Sequence, residues 1–187
     1  MKKAVLIIIM LASVANFVNG QITKGNWMVG GNGMFSSQIE DNPSFNNVKA
    51  TIFKLSPNVG YFFIDKFAAG IKPEIGSNKL EYNAIVSKSN SFALGPFLRY
   101  YFLDVEKQFN LFGETSYQFS QISGNNVGAR NQNAFTLSAG SVIYFNSSVG
   151  LEFALNYRLL NIPKEDVSAK TFFVTAGFQI HLERDNK

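Results

Sequence analysis

Seven charged side chains stand in stretches that are otherwise small or apolar at alternate positions: Lys54, Lys72, Glu74, Arg99, Glu114, Glu152 and Arg158. Four are basic and three acidic, so brought onto one surface they nearly balance. Such a set could line a gated ion path, hold an acid–base pair, or neutralise itself as a structural network of buried ion pairs. Acid–base work needs a group poised near neutrality with partners in reach, most often histidine. The only histidine is His181, at the end of the last apolar segment. Its place predicts a polar residue at the rim, from which a Ser/His/Glu set is hard to assemble. There is no cysteine, which removes disulfides, thiolate metal sites and cysteine nucleophiles. Metal-ligand types do not cluster, and Gly31-Asn32-Gly33 is no phosphate loop, because no helical pattern follows it. The expectation is therefore no catalytic residue, no cofactor and no metal, with the seven charges acting as a structural network.

The elements that would carry these charges read as strands. From Gln21 onward apolar residues alternate with small or polar ones, the period of a sheet with one apolar face. In residues 51–63, Phe53, Leu55, Val59, Tyr61 and Phe63 alternate with Lys54, Ser56, Asn58 and Gly60. In 109–121, Phe109, Leu111, Tyr117 and Phe119 alternate with Asn110, Glu114, Ser116 and Gln118. The same holds for 149–159 and 172–182. Four more segments, 26–37, 67–76, 91–103 and 133–145, follow this rule and bring the total to eight. Each is about ten to thirteen residues long, whereas soluble strands average about five or six and a strand tilted across a bilayer needs about nine to eleven. The connections alternate as well. Segments 39–48, 77–90, 122–132 and 161–169 are long, and those at 65–66, 104–108 and 146–148 are short. Short turns at one end and long loops at the other mark an outer-membrane barrel.

An open sheet edge is untenable in hydrocarbon, because its backbone groups go unpaired. Eight strands must close, which predicts an all-β, eight-stranded, antiparallel up-and-down transmembrane β-barrel. An interior of that size is only wide enough for side chains. The charged face must then point inward, since a Lys or Arg facing lipid at mid-depth costs about 2–4 kcal/mol. Phe62, Phe97, Phe112 and Phe173 share the inward parity and would obstruct a water path. Aromatic residues recur before each short turn, and the pattern predicts an interfacial girdle of Trp27, Tyr61, Tyr100, Tyr101 and Tyr144.

Composition agrees with this class. Charged residues make up 16% of the chain, against about 25% in ordinary soluble proteins. Aromatics reach 14%, mostly phenylalanine. This composition excludes disorder, which needs high charge and low hydrophobicity. No apolar run approaches the ~20 residues of a membrane helix. Met1-Lys2-Lys3 followed by an apolar run to Ala15 and small residues at Val18-Asn19-Gly20 predicts a cleaved signal peptide over 1–20, with the barrel domain at 21–187. Removing Lys2 and Lys3 halves the formal charge of +4, so no nucleic-acid partner is expected.

Several segments carry a resemblance. Residues Gln21 to Trp27, Ser56-Pro57-Asn58-Val59-Gly60-Tyr61-Phe62, Gly95-Pro96-Phe97-Leu98-Arg99-Tyr100-Tyr101-Phe102 and Leu111-Phe112-Gly113-Glu114 resemble the outer-membrane β-barrel domain family of OmpA/OmpX type, often named porin-like. The resemblance covers the whole mature chain. It implies residence in the outer membrane of a Gram-negative cell, periplasmic termini, and contact with outer-membrane lipid, lipopolysaccharide and the barrel-assembly machinery. It implies a structural or surface-interaction role without catalysis, in which loops 39–48, 77–90, 122–132 and 161–169 could meet an extracellular ligand. A narrow pore for ions or small solutes is the second expectation and a lipid-modifying enzyme the third. One departure stands out: such barrels often end on an aromatic residue, whereas here Phe178, Ile180 and Leu182 are followed by the polar tail 183–187.

Overall fold

The computed structural model describes residues 22–40, 48–82, 85–125, 128–146, 148–163 and 167–183. The expected signal peptide and the end of the polar tail lie outside them. Eight strands, β1 (Trp27–Glu40), β2 (Val48–Ile64), β3 (Phe67–Tyr82), β4 (Ile85–Tyr101), β5 (Phe109–Gly124), β6 (Arg130–Tyr144), β7 (Val149–Ile162) and β8 (Val167–Leu182), follow one another around the sheet. Each is antiparallel to the next, and β8 returns to β1 to close the barrel. Short connections at 65–66, 102–108 and 145–148 gather at one end, the turn end, with the N-terminal segment and the end of β8. The opposite ends of the strands form the hairpin end.

The strands are 14 to 17 residues long, longer than the alternating apolar pattern. The extra length lies at the hairpin end and corrects the sequence reading there. The stretch 77–90 is strand on both sides of residues 83–84, with Ser77 opposite Asn90 and Tyr82 opposite Ile85. Residues 122–124, 130–132, 161–162 and 167–169 are likewise strand, as are 39, 40 and 48. Apolar alternation stops where the outward face turns polar, but backbone pairing does not need an apolar face to continue.

The outward face sets the height of the apolar band. On β8, Leu182, Ile180, Phe178, Val174 and Phe172 are exposed, and the next outward position is Lys170. On the other strands the outward face also stays uncharged until the hairpin end, where Lys49, Lys79, Glu81 and Lys88 appear. The band is about ten residues deep, the length of a bilayer-crossing strand. Besides the register shift between Phe62 and Ile64 in the β2–β3 ladder, pairing lapses at two places for a local reason. Between Leu55↔Ile75 and Val59↔Ile71 the β2–β3 pairing lapses. The constant register puts Pro57 opposite Pro73 there, and neither has an N–H to donate. Pairing lapses again beside Gly95-Pro96. A Cβ on Gly95 would lie 1.8 Å from the carbonyl oxygen of Tyr117, so only glycine allows this approach.

Candidate functional site: the barrel lumen

Inward side chains fill the lumen in layers. At the turn end the filling is apolar. Met28, Phe62, Ala68, Tyr101, Val142 and Tyr144 are buried, and Ile22 closes the base from below. The N-terminal segment is tied down by backbone bonds: Lys66 N donates to Ile22 O at 2.8 Å and Gly25 N to Phe62 O at 2.9 Å. His181 is inside this layer, 1% exposed. Its ring meets Phe62, Tyr101 and Tyr144 edge-on, with centroids 5.5, 6.0 and 5.4 Å away. The expected rim residue is thus a packed member of the aromatic base, because Phe62, Tyr101 and Tyr144 surround its ring.

Above that base lies a ring of four charges. Arg99 Nε donates to Glu114 Oε2 at 2.8 Å and Nη2 pairs with the same oxygen at 2.7 Å. Arg99 Nη1 pairs with Glu152 and donates to the Tyr101 hydroxyl at 3.2 Å. Lys72 pairs with the other oxygen of Glu114. The Arg99 guanidinium lies over the Phe112 ring at 4.2 Å, and the Lys72 ammonium over Phe97 at 5.5 Å. Two cations meet two carboxylates here, so the ring is neutral.

Towards the hairpin end is a second, smaller cluster around Glu74. Arg158 grips it with both nitrogens, Nη1 to Oε1 at 2.9 Å and Nη2 to Oε2 at 2.6 Å. Lys54 Nζ donates to Oε1 and Ser56 Oγ to Oε2, each at 3.2 Å. Arg158 also donates to Thr136 Oγ1 at 3.2 Å and lies 5.1 Å from the Phe173 ring centre. Between the two clusters is a cavity of about 20 Å³, lined by Lys72, Glu74, Glu114 and Gln118 among others. That is room for about one water molecule. Above Glu74 the lumen widens into a cup of about 290 Å³ at the hairpin end.

No family model and no curated protein matches the sequence. Solved structures do match. The outer membrane protein OprG from Pseudomonas aeruginosa is 13% identical with a TM-score of 0.57, over 90% of this chain and all of that one. Neisserial surface protein A (NspA) is 14% identical with a TM-score of 0.53, over 84% and 97%. The N-terminal β-barrel domain of Pseudomonas aeruginosa OprF is 10% identical with a TM-score of 0.50, over 85% and 98%. The fold is that of the small outer-membrane β-barrels.

All seven charges lie inside this barrel, in the two clusters just described. The aromatic girdle needs a correction. Trp27 and Tyr100 are exposed on the outer wall at the turn end, and Tyr61 packs edge-on between Trp27 and Phe63 at 5.2 Å from each. Tyr101 and Tyr144 point into the lumen, 0% and 2% exposed. Adjacent residues of a strand face opposite ways, so Tyr100 and Tyr101 cannot both face out. An inward Arg99 also forces Tyr101 inward. Phe63, Phe102, Phe109 and Phe145 complete the outer ring instead. Neutral polar side chains fill the lumen between the charges. Gln118 Nε2 donates to Lys72 O at 3.1 Å, and Gln179 Nε2 to Asn58 Oδ1 at 3.2 Å. Their inward parity was the available signal. Among the described residues no group of three or more His, Asp or Glu is placed to hold a metal. Outside the apolar band, Asp104 in the 102–108 turn has its carboxyl held below the usual range by the hydrogen bond from Lys66 at 3.1 Å.

Proposed function

We propose that this protein is an integral outer-membrane barrel with a plugged lumen and a structural or surface-interaction role, without catalysis. The observation that carries the reading is the double closure of the lumen. An aromatic base around His181 lies beneath a neutral ring of Arg99, Glu114, Lys72 and Glu152, with space for about one water above it. The uncharged outward band, about ten residues deep and ringed by aromatics at the turn end, supports residence in a membrane. The fold neighbours, one an outer membrane protein and another a surface protein by description, support the outer membrane of a Gram-negative cell. In that setting the termini and short turns face the periplasm, and the long hairpins stand outside, free to meet lipopolysaccharide or an extracellular ligand. Residues 1–20 are the export signal, and the barrel-assembly machinery inserts the chain.

A narrow pore would need the Arg99 ring and the aromatic base to part together, at the cost of stranding several charges in a dry lumen. The test is fractionation with electrophoresis in SDS, with and without boiling, alongside liposome swelling in small sugars. The expected result is an outer-membrane protein whose mobility shifts on heating and whose liposomes do not swell. A soluble periplasmic protein, or liposomes that swell at a rate set by solute size, would overturn the reading.

A further inference from the structure

The seam that closes the barrel differs between its two halves. β1 and β8 pair from Trp27↔Leu182 to Gly33↔Ala176 and no further. Yet β1 continues to Glu40, paired with β2 throughout, and β8 reaches back to Val167, paired with β7. In the paired half the strands approach closely: a Cβ on Gly177 would lie 2.2 Å from Gly31 O. Towards the hairpin end they part. The four most exposed large apolar side chains among the described residues flank this gap: Phe35 and Phe172 at 69%, Ile39 at 66% and Val174 at 64%. The result is a notch in the barrel wall with apolar lips. It lies at the upper part of the apolar band, since Phe172 and Val174 belong to that band.

The notch opens onto the cup. Met34 of β1 and Phe173 of β8, the strands on either side of the gap, both line it, together with Ile122 and Leu160. Lys54 and Arg158 stand at its floor. That floor has a surplus cation. Lys54 and Arg158 share the single carboxylate of Glu74, whereas the ring below balances two against two. Unpaired backbone along the notch is tolerable where it borders a water-filled cavity, and not against lipid alone.

We propose that cup and notch together bind a single-chain alkyl carboxylate, a fatty-acid-class amphiphile drawn from the surrounding lipid. Its carboxylate meets Lys54 and Arg158, and its chain runs out between the lips of β1 and β8. A carboxylate matches the one surplus charge, whereas a phosphate monoester brings about −1.5 to −2. The cup sits at the bottom of the roughly 300–1,000 Å³ range of small-molecule sites. It holds a headgroup and a few carbons, and the rest of the chain must leave by the notch. The inference rests on the barrel standing in a membrane and not on whether the lumen conducts.

The experiment uses the folded barrel in nanodiscs of zwitterionic phosphatidylcholine, titrated with dodecanoate labelled with ¹³C at the carboxyl. The expected result is a second, saturable carboxyl resonance at one per barrel, still ionised at a pH where the lipid-dissolved fraction is protonated. Lys54→Gln, which keeps the Glu74–Arg158 grip, is expected to weaken this binding at least tenfold. Lys54→Arg is expected to restore it, and dodecanol not to compete. Heat-shifted mobility in SDS verifies that each variant is folded. Only the lipid-dissolved resonance, unchanged binding in Lys54→Gln, or equal competition by dodecanol would each overturn the proposal. Failure of the plugged-barrel reading would appear separately, as swelling of ligand-free liposomes.

Discussion

Two arginines grip carboxylates in this lumen, and their surroundings differ. Arg99 is 1% exposed and wedged between Glu114, Glu152, Tyr101 and the Phe112 ring. Arg158 makes an equally close two-pronged contact with Glu74, but it borders the open cup of about 290 Å³. The contacts alone would rank the two alike. Access to water separates them: a charge abandoned at the turn end finds no solvent, while one abandoned at the hairpin end is hydrated from the cup. The lower lumen therefore holds the barrel together, and the upper lumen is left available for something to bind.

The sharpest way to break this comparison is Arg99→Ala. It strands Glu152 in a dry layer, leaves Glu114 with Lys72 alone, and is expected to cost about 3–5 kcal/mol, read as a lower urea midpoint of the barrel folded in lipid. Arg158→Ala leaves Glu74 with Lys54, Ser56 and water, and is expected to cost about 1–3 kcal/mol. Equal losses at the two sites would remove the distinction. Tyr101→Phe deletes one acceptor of Arg99 while keeping the ring, for about 1 kcal/mol, and a double-mutant cycle with Arg99 would isolate that coupling. Lys88→Ala, exposed on the outer wall of β4, is expected to stay within about 0.5 kcal/mol.

The smallest effect is at the Lys66–Asp104 contact in the turns. The carboxyl of Asp104 is depressed in the folded state by Lys66. Its contribution is therefore present above the unfolded carboxylate pKa and lost as pH falls through the folded one. Asp104→Asn is expected to lower the midpoint slightly at neutral pH and to flatten the acid limb, so that variant and parent converge at low pH. A larger shift at neutral pH would show that the turn contributes more than an exposed pair can.

Much of the barrel is legible in the chain because a period of two records which side is wet. Lys54, Lys72, Glu74, Arg99, Glu114, Glu152 and Arg158 could be placed inside by parity alone, since any of them facing outward would break the uncharged band. The same rule, applied at Tyr101 and Tyr144, would have kept them out of the girdle. Aromatic type alone points them outward, and parity overrides it. Which carboxylate each cation finds was not legible: Arg158 and Glu74 are 84 positions apart, and their meeting depends on the stagger of three intervening strands. The burial of His181 depends on Phe62, Tyr101 and Tyr144, which reach it from β2, β4 and β6. The extension of β3 and β4 past Ser77 and Ser91 was hidden because polar hairpins pair without an apolar signature. The opposition of Pro57 to Pro73 and the unpaired half of the β1–β8 seam are properties of register, which no single segment encodes.

The central claim is the closed lumen, and conductance across a planar bilayer tests it most directly. One folded barrel in a neutral-lipid membrane is expected to show no steady current in molar potassium chloride, and Arg99→Ala to admit at most brief openings. A stable, ohmic single-channel current in the unaltered protein would contradict the account, because it would require a continuous water path through the Arg99 ring and the aromatic base around His181.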